Sequence, residues 1–199
     1  MQEIVPDVFT WSRLSERHGY TFNGHLVRQP GGNLCIDPVE PEEAELDHLL
    51  RLGAARILLT NRNHTRAAGM LRDRLGARTA IDPRDADYAR GQGVPIDDDL
   101  SPGQRIGDLE IIELAGKSPG EVALFWPERR LLIVGDAVIG NPPGECSLLP
   151  AKVMDDPSLL ARNLRTLLAL DVETLLVGDG TSILTAARER LSALLDKLA

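Results

Sequence analysis

Runs of apolar residues divide the chain into segments with strand-like and helix-like patterns. Alternating apolar positions around 3–10 and 20–28 predict strands at the start of the chain. Short apolar runs bounded by turn residues predict further strands, at 33–37, 56–60, 78–81, 109–116, 121–126, 131–136 and 174–180. Apolar positions on one helical face predict helices at 41–52, 64–75, 156–170 and from about 184 to 198.

The order of these segments indicates a fold class. Strands outnumber helices, helices follow strands in both halves, and tight turns predict hairpins in both halves. This order fits sheets covered by helices better than a doubly wound parallel sheet. The 199 residues contain no repeat and no linker, so we predict one α/β domain spanning residues 1–199.

Composition and charge narrow the classes of partner. The net charge of −8 argues against a nucleic-acid partner, because an acidic surface repels phosphate backbones. No apolar run approaches the roughly 18 residues of a membrane span, so we expect no membrane partner.

The acidic start, MQEIVPDVF, lacks the features of a signal peptide, and we expect a cytoplasmic protein. The partner is an unknown small molecule or protein, and an oligomer is compatible with the sequence.

Familiar nucleotide and hydrolase motifs are not satisfied. Residues 115–118 read AGKS, like the end of a phosphate-binding P-loop. Such a loop needs a glycine five positions before the glycine of the Gly-Lys pair, and that position is Ile111, within a predicted strand. The chain contains neither GxGxxG nor GxSxG.

Four predicted strand ends carry the polar residues that best indicate a site. The first strand ends at Thr60, the second meets a turn at Gly116, and the third and fourth end in Gly-Asp pairs that contain Asp136 and Asp179. Folds of the α/β class usually place their chemistry where buried strands end.

These segments resemble the metallo-β-lactamase-like hydrolase family, in the right order from about residue 20 to 195. Its first loop reads Thr-His-x-His-x-Asp-His-x-x-Gly, and Thr60 and Gly69 match. Its Gly-His-Thr-Pro-Gly, Gly-Asp and Gly-His-Gly motifs correspond to 116–120, 135–136 and 178–180. The resemblance implies an αββα sandwich of two mixed β-sheets flanked by helices. The family's metal-binding positions are occupied here by Asn61, Asn63, Thr65, Arg66, Lys117, Asp136 and Asp179.

Of these positions, only Asp136 keeps the residue type of the family. Amide oxygens are poor zinc ligands, and Lys117 and Arg66 are cations that repel a metal. We therefore expect no dinuclear zinc or iron and no metal-dependent hydrolysis. The predicted cleft comprises Asn61, Asn63, His64, Thr65, Arg66, Lys117, Asp136 and Asp179.

Three functions are open at this point. The first is a non-catalytic pseudoenzyme that binds a small molecule or a protein. The second is a hydrolase with a rebuilt metal-free site, in which Lys117 or Asp136 acts as general base or electrostatic stabiliser. The third, and weakest, is one hard divalent cation on Asp136, Asp179, Asn61 and Asn63.

Three further expectations concern the ion pairs, His64 and a loop at the predicted cleft. A buried carboxylate without a metal needs another partner, so we predict an ion pair from Lys117 to Asp136, and one from Arg66 either to Asp179 or across both carboxylates. His64 lies one residue from an expected ligand position, but a single histidine without partners is rarely a ligand, so it is predicted to begin a helix, facing solvent or capping a neighbour. The loop 140–152 is predicted to border the cleft.

Overall fold

Two mixed β-sheets, each formed by a consecutive part of the chain, lie at the centre of the structure. The computed structural model describes residues 1–198. The first sheet contains β1 (Gln2–Val5), β2 (Val8–Ser15), β3 (Tyr20–Val27), β4 (Leu34–Ile36), β5 (Arg56–Leu59), β6 (Arg78–Ile81) and β7 (Asp98–Asp99). The second contains β8 (Arg105–Ile106), β9 (Leu109–Glu113), β10 (Val122–Trp126), β11 (Leu131–Val134) and β12 (Thr174–Val177). The α-helices are α1 (Glu43–Leu52), α2 (Ala68–Leu75), α3 (Pro83–Gly91), α4 (Pro157–Thr166) and α5 (Ala187–Asp196).

Each sheet begins with antiparallel strands and ends with parallel ones. In the first sheet β1 to β4 are antiparallel neighbours, and β4 to β7 are parallel. In the second sheet β8 to β11 are antiparallel neighbours, and β12 lies parallel to β11. The parallel strands require crossovers, and α1, α2, α3, α4 and α5 occur in or after these connections.

Alternation along the strands produces three hydrophobic layers. Ile36 and Leu58 point between the sheets and belong to one cluster with Leu124 and Ile133 of the second sheet. The intervening positions point outward, where helices cover them: one outer cluster contains Cys35, Ile57, Leu59, Leu49 and Leu71, and the other contains Phe125, Val134, Leu160, Leu164 and Leu191. The sheets are therefore buried on both faces, and the predicted αββα sandwich is confirmed.

Two helices differ from the sequence prediction. Helix α2 begins at Ala68, not at residue 64, because the residues before it form turns closed by bonds such as His64 N to Asn61 O at 3.2 Å. Helix α3 was not predicted, since few apolar residues mark its face. Its start signal is clear in retrospect: Asp82 accepts a hydrogen bond from Arg84 N, and Pro83 occupies the first turn.

None of the helices within residues 1–198 has the length and apolarity required to cross a membrane.

Candidate functional site

The ends of five strands converge on one cleft with a volume of about 1000 Å³. Asp37 directly follows β4 and Thr60 directly follows β5, while Asp136 and Asp179 lie just beyond β11 and β12. Lys117 lies in the turn between β9 and β10. Parallel neighbours place their carboxyl ends at the same edge of a sheet, and the two sheets bring these edges together.

His64 lies at the centre of the site, fully buried between two carboxylates. Its Nδ1 is 2.7 Å from Asp37 Oδ2, and its Nε2 is 3.2 Å from Asp136 Oδ1. Ionised carboxylates only accept hydrogen bonds, so both ring nitrogens donate and the imidazole is protonated. The expectation of a solvent-facing residue at a helix start was wrong, because these two acceptors compensate the burial of the ring.

Asp37 is held by further donors. Thr60 donates to it twice, from the backbone N at 2.8 Å and from Oγ1 at 2.6 Å. Burial opposes ionisation of Asp37, but His64 and the Thr60 hydrogen bonds outweigh it and lower the pKa of this carboxyl. Asp37 is thus an ionised group that orients the His64 ring through Nδ1, on the side opposite Asp136.

Lys117 lies against the other oxygen of Asp136. Its Nζ contacts Asp136 Oδ2, and the exposed fraction of each side chain is 7%. The Lys117 ammonium also donates to Asn63 Oδ1. The predicted ion pair between Lys117 and Asp136 is therefore present.

Arg66 pairs with Asp179, as the sequence predicted. Its Nη2 donates to Asp179 Oδ1 at 2.7 Å, and its guanidinium lies 4.3 Å from the centre of the Phe22 ring. The Nη1 atom of Arg66 is buried and has no hydrogen-bond partner among the described residues. Asp179 Oδ1 is also 4.0 Å from His64 Nε2, which joins the two pairs in one network.

The network is electrically balanced without any further ion. His64, Lys117 and Arg66 supply three positive charges, and Asp37, Asp136 and Asp179 supply three negative charges. Burial and the Arg66 charge oppose protonation of His64, but Asp37 and Asp136 outweigh them and raise its pKa to about 10. Burial likewise opposes ionisation of Asp136, yet His64 and Lys117 lower the pKa of this carboxyl.

A fourth carboxyl group, Glu121, lies behind the network and is fully buried. Its Oε1 accepts from Ala137 N at 2.7 Å, and its Oε2 has no hydrogen-bond partner within the described chain. Burial and the neighbouring charge of Asp136 raise the pKa of Glu121 to about 8. Glu121 is therefore protonated at neutral pH and does not disturb the charge balance.

The unpredicted helix α3 and two close-packed glycines fix the positions of these groups. Asp85 of α3 accepts hydrogen bonds from Ser118 Oγ and from Gly120 N at 3.1 Å, which anchors the turn that carries Lys117. A Cβ atom at Gly178 would lie 2.5 Å from His64 Cε1. One at Gly135 would lie 2.2 Å from Thr60 Oγ1. The Gly-Asp motifs thus allow the strand ends to approach His64 and Thr60.

Most of the predicted cleft residues meet in the structure. Those lining the cleft are Asn63, His64, Arg66, Lys117, Asp136 and Asp179. Two do not line it: the Thr65 side chain donates to Gln92 Oε1 at 2.9 Å, and Asn61 Oδ1 accepts from Asn63 N at 2.8 Å. The loop predicted to border the cleft contributes Asn141, Ser147 and Lys152 to its wall.

Three buried acidic residues of the site were not predicted from the sequence: Asp37, Asp85 and Glu121. Asp37 carried a usable signal, because it follows a buried strand just as Asp136 and Asp179 do. Glu121 stands at the edge of an apolar strand, where nothing in the local pattern indicates complete burial.

Comparison with known proteins agrees with this architecture. The family model described as the metallo-beta-lactamase superfamily matches residues 2–198. The chain belongs to this superfamily. No curated protein has a significantly similar sequence.

Solved structures of the same fold are similar over nearly the whole chain. TTHA1623, crystallised in a di-iron-bound form, is 27% identical, with a TM-score of 0.72, over 91% of this chain and 96% of that one. The metallo-beta-lactamase from Pontibacter korlensis is 18% identical, with a TM-score of 0.76, over 98% and 97% of the two chains. The DIM-1 metallo-beta-lactamase exposed to ceftazidime is 15% identical, with a TM-score of 0.78, over 100% and 96%.

Proposed function

We propose that this protein is a non-catalytic member of the superfamily, a pseudoenzyme whose cleft binds a small molecule. The observation that carries the proposal is the position of two cations. The ammonium of Lys117 and the guanidinium of Arg66 lie directly on the two carboxylates of the aligned metal positions, Asp136 and Asp179.

The side chains at these positions do not fit a pair of metal ions. Lys117 and Arg66 offer only donors, and Asn63 Oδ1 already accepts from Lys117. Thr65 and Asn61 are turned to other partners. A dinuclear centre would therefore lack both ligands and negative charge on this chain.

A single hard cation is disfavoured for related reasons. The oxygen cage of Asp136, Asp179, Asn61 and Asn63 is not assembled, since both amide oxygens accept from other groups. Atoms of His64, Asp136 and Asp179 do lie within 4.8 Å of one another. An ion there would require His64 to lose a proton whose pKa is about 10, and would require Lys117 to leave Asp136.

Elemental analysis and a chelator test decide the proposal. The purified protein, dialysed against a weak chelator, is expected to carry no stoichiometric zinc, iron or manganese. A panel of lactams, thioesters and phosphodiesters is expected to show no turnover that EDTA abolishes and metal restores. About one metal ion per chain, or such turnover, would contradict the proposal, and turnover indifferent to EDTA would favour the rebuilt metal-free hydrolase.

A reverted variant provides the positive control for metal loading. It carries the family's ligands through Asn61→His, Asn63→His, Thr65→Asp, Arg66→His, Lys117→His and Asp179→His. Under the same dialysis, this variant is expected to retain metal, because it differs from the natural chain only in the ligand side chains. A reverted variant that binds no metal would show that the assay cannot detect metal binding by this scaffold.

A further inference from the structure

The cleft carries positive charge although the protein as a whole is acidic. Five Lys and Arg side chains line it, against two carboxylates: Arg17, Arg62, Arg66, Lys117 and Lys152, against Asp136 and Asp179. The whole chain has a net charge of −8. A concave site of opposite sign to the remaining surface concentrates ligands of the complementary charge, which here are anions.

Two of these cations are available to a ligand. Lys117 and Arg66 are committed to the buried network, and Arg62 pairs with Asp155 at 2.8 Å. Arg17 and Lys152 are exposed, and neither has a carboxylate within 4.0 Å in the part of the chain that the structure describes. They come from separate elements: Arg17 from the turn between β2 and β3, and Lys152 from a short 3-10 helix, Ala151–Val153, in the segment after β11.

Aromatic and apolar side chains line the same cleft as these cations. His18, Tyr20 and Phe22 form a cluster with ring centroids 5.4 to 6.1 Å apart. Tyr88 is 52% exposed, and Val153, next to Lys152, is 47% exposed. Exposed apolar side chains in a concave, charged site are typical of surfaces that receive the body of an organic ligand.

We infer that the cleft binds an organic anion with an apolar body, whose carboxylate, phosphate or sulfonate group is attracted by the exposed charges of Arg17 and Lys152. The inference rests on the proposed function in taking the cleft as a ligand site. Its volume of about 1000 Å³ matches small-molecule sites, which are roughly 300–1,000 Å³. The surplus of positive charge disfavours cationic ligands of the same shape.

Matched aromatic probes test the charge preference. Naphthalenesulfonate, naphthylmethanol and naphthylmethylammonium share one ring system and differ in charge, and their affinities can be measured by isothermal titration calorimetry. We expect the sulfonate to bind at least about tenfold more tightly than either of the others, with an affinity that falls as salt is added. Equal affinities for the sulfonate and the ammonium probe would overturn the inference.

A pair of double variants tests the assignment to Arg17 and Lys152. Arg17→Gln with Lys152→Gln is expected to weaken sulfonate binding about tenfold or more, because the two positive charges of the cleft that have no carboxylate partner within residues 1–198 are lost. Arg51→Gln with Arg74→Gln removes the same charge from exposed positions on α1 and α2 and is expected to change affinity less than about threefold. Equal losses in the two double variants would refute the assignment.

The anion site and the proposed function can fail independently of each other. Metal content and chelator sensitivity test the proposed function and do not involve Arg17 or Lys152. Stoichiometric metal together with the expected probe preference would refute the pseudoenzyme but keep the anion site. A metal-free protein without charge preference would do the reverse.

Discussion

Replacing Lys117 by methionine removes the ammonium from Asp136 while keeping most of the apolar stem. Both side chains are only 7% exposed, so water cannot readily replace the lost partner. Breaking a buried ion pair from one side typically costs about 3–5 kcal/mol. Asp136 retains His64 Nε2 at 3.2 Å, which places Lys117→Met near about 3 kcal/mol.

The partner change, Asp136→Asn, removes the negative charge and keeps the shape. It leaves the Lys117 ammonium buried with one amide acceptor and takes one of two carboxylates from His64, so we expect about 3–5 kcal/mol. The double variant no longer buries an unpaired ammonium or carboxylate at this point. Its cost should fall below the sum of the single costs by about 2 kcal/mol or more.

Urea unfolding of the four proteins measures this coupling, and thermal unfolding provides a second readout. A loss of about 3 kcal/mol lowers Tm by about 6–12 °C in a chain of this length. The pair Arg105 and Glu128, 49% and 63% exposed, serves as the control, with an expected coupling below about 1 kcal/mol. A Lys117–Asp136 coupling no larger than that of the control pair would refute the reasoning.

Two further predictions concern protonation. His64, with its pKa raised to about 10, should remain protonated well above its ordinary pKa of about 6.5, and its stabilising effect should be complete below about 6.5 and disappear as pH rises through about 10. An NMR titration of the imidazole checks this, and a midpoint near 6.5 would contradict it. Glu121, with its pKa raised from 4.5 to about 8, should lower stability progressively as pH rises from about 4.5 to about 8, because over this range the folded state binds a proton that the unfolded state has lost. Glu121→Gln should therefore flatten the pH dependence of urea unfolding, and an unchanged slope would count against a buried protonated Glu121.

The fold was predictable wherever a single physical signal dominated a segment. Strands such as β5 and β11 are short apolar runs buried on both faces, so their composition and length were sufficient to predict them as strands. Helix α3 has only Asp85, Ala86 and Ala89 buried, and such small or charged residues do not mark an apolar face. The residues that indicate this helix in the sequence are those at its start, Asp82 and Pro83.

The two ion pairs of the site were predictable, but the histidine at its centre was not. Aligned motifs place Lys117 beside Asp136 and Arg66 beside Asp179, and charge neutrality then favours the observed pairs. His64 could not be placed in this way, because its burial depends on Asp37 at the end of another strand. A lone histidine at a variable position of a motif becomes interpretable only when both of its acceptors are known.

The cost of this network bears on why the chain would keep it. Buried ion pairs often contribute little net stability, because removing the charges from water offsets much of their attraction. Apolar residues could fill the same space at less cost, yet three cations are held against three carboxylates at the base of an open cleft. On the proposed function, what the network provides is specificity of arrangement: the strand ends of both sheets are tied together through His64. On the same proposal, the network keeps the cleft in shape without a metal, and the exposed cations Arg17 and Lys152 stay free for a ligand.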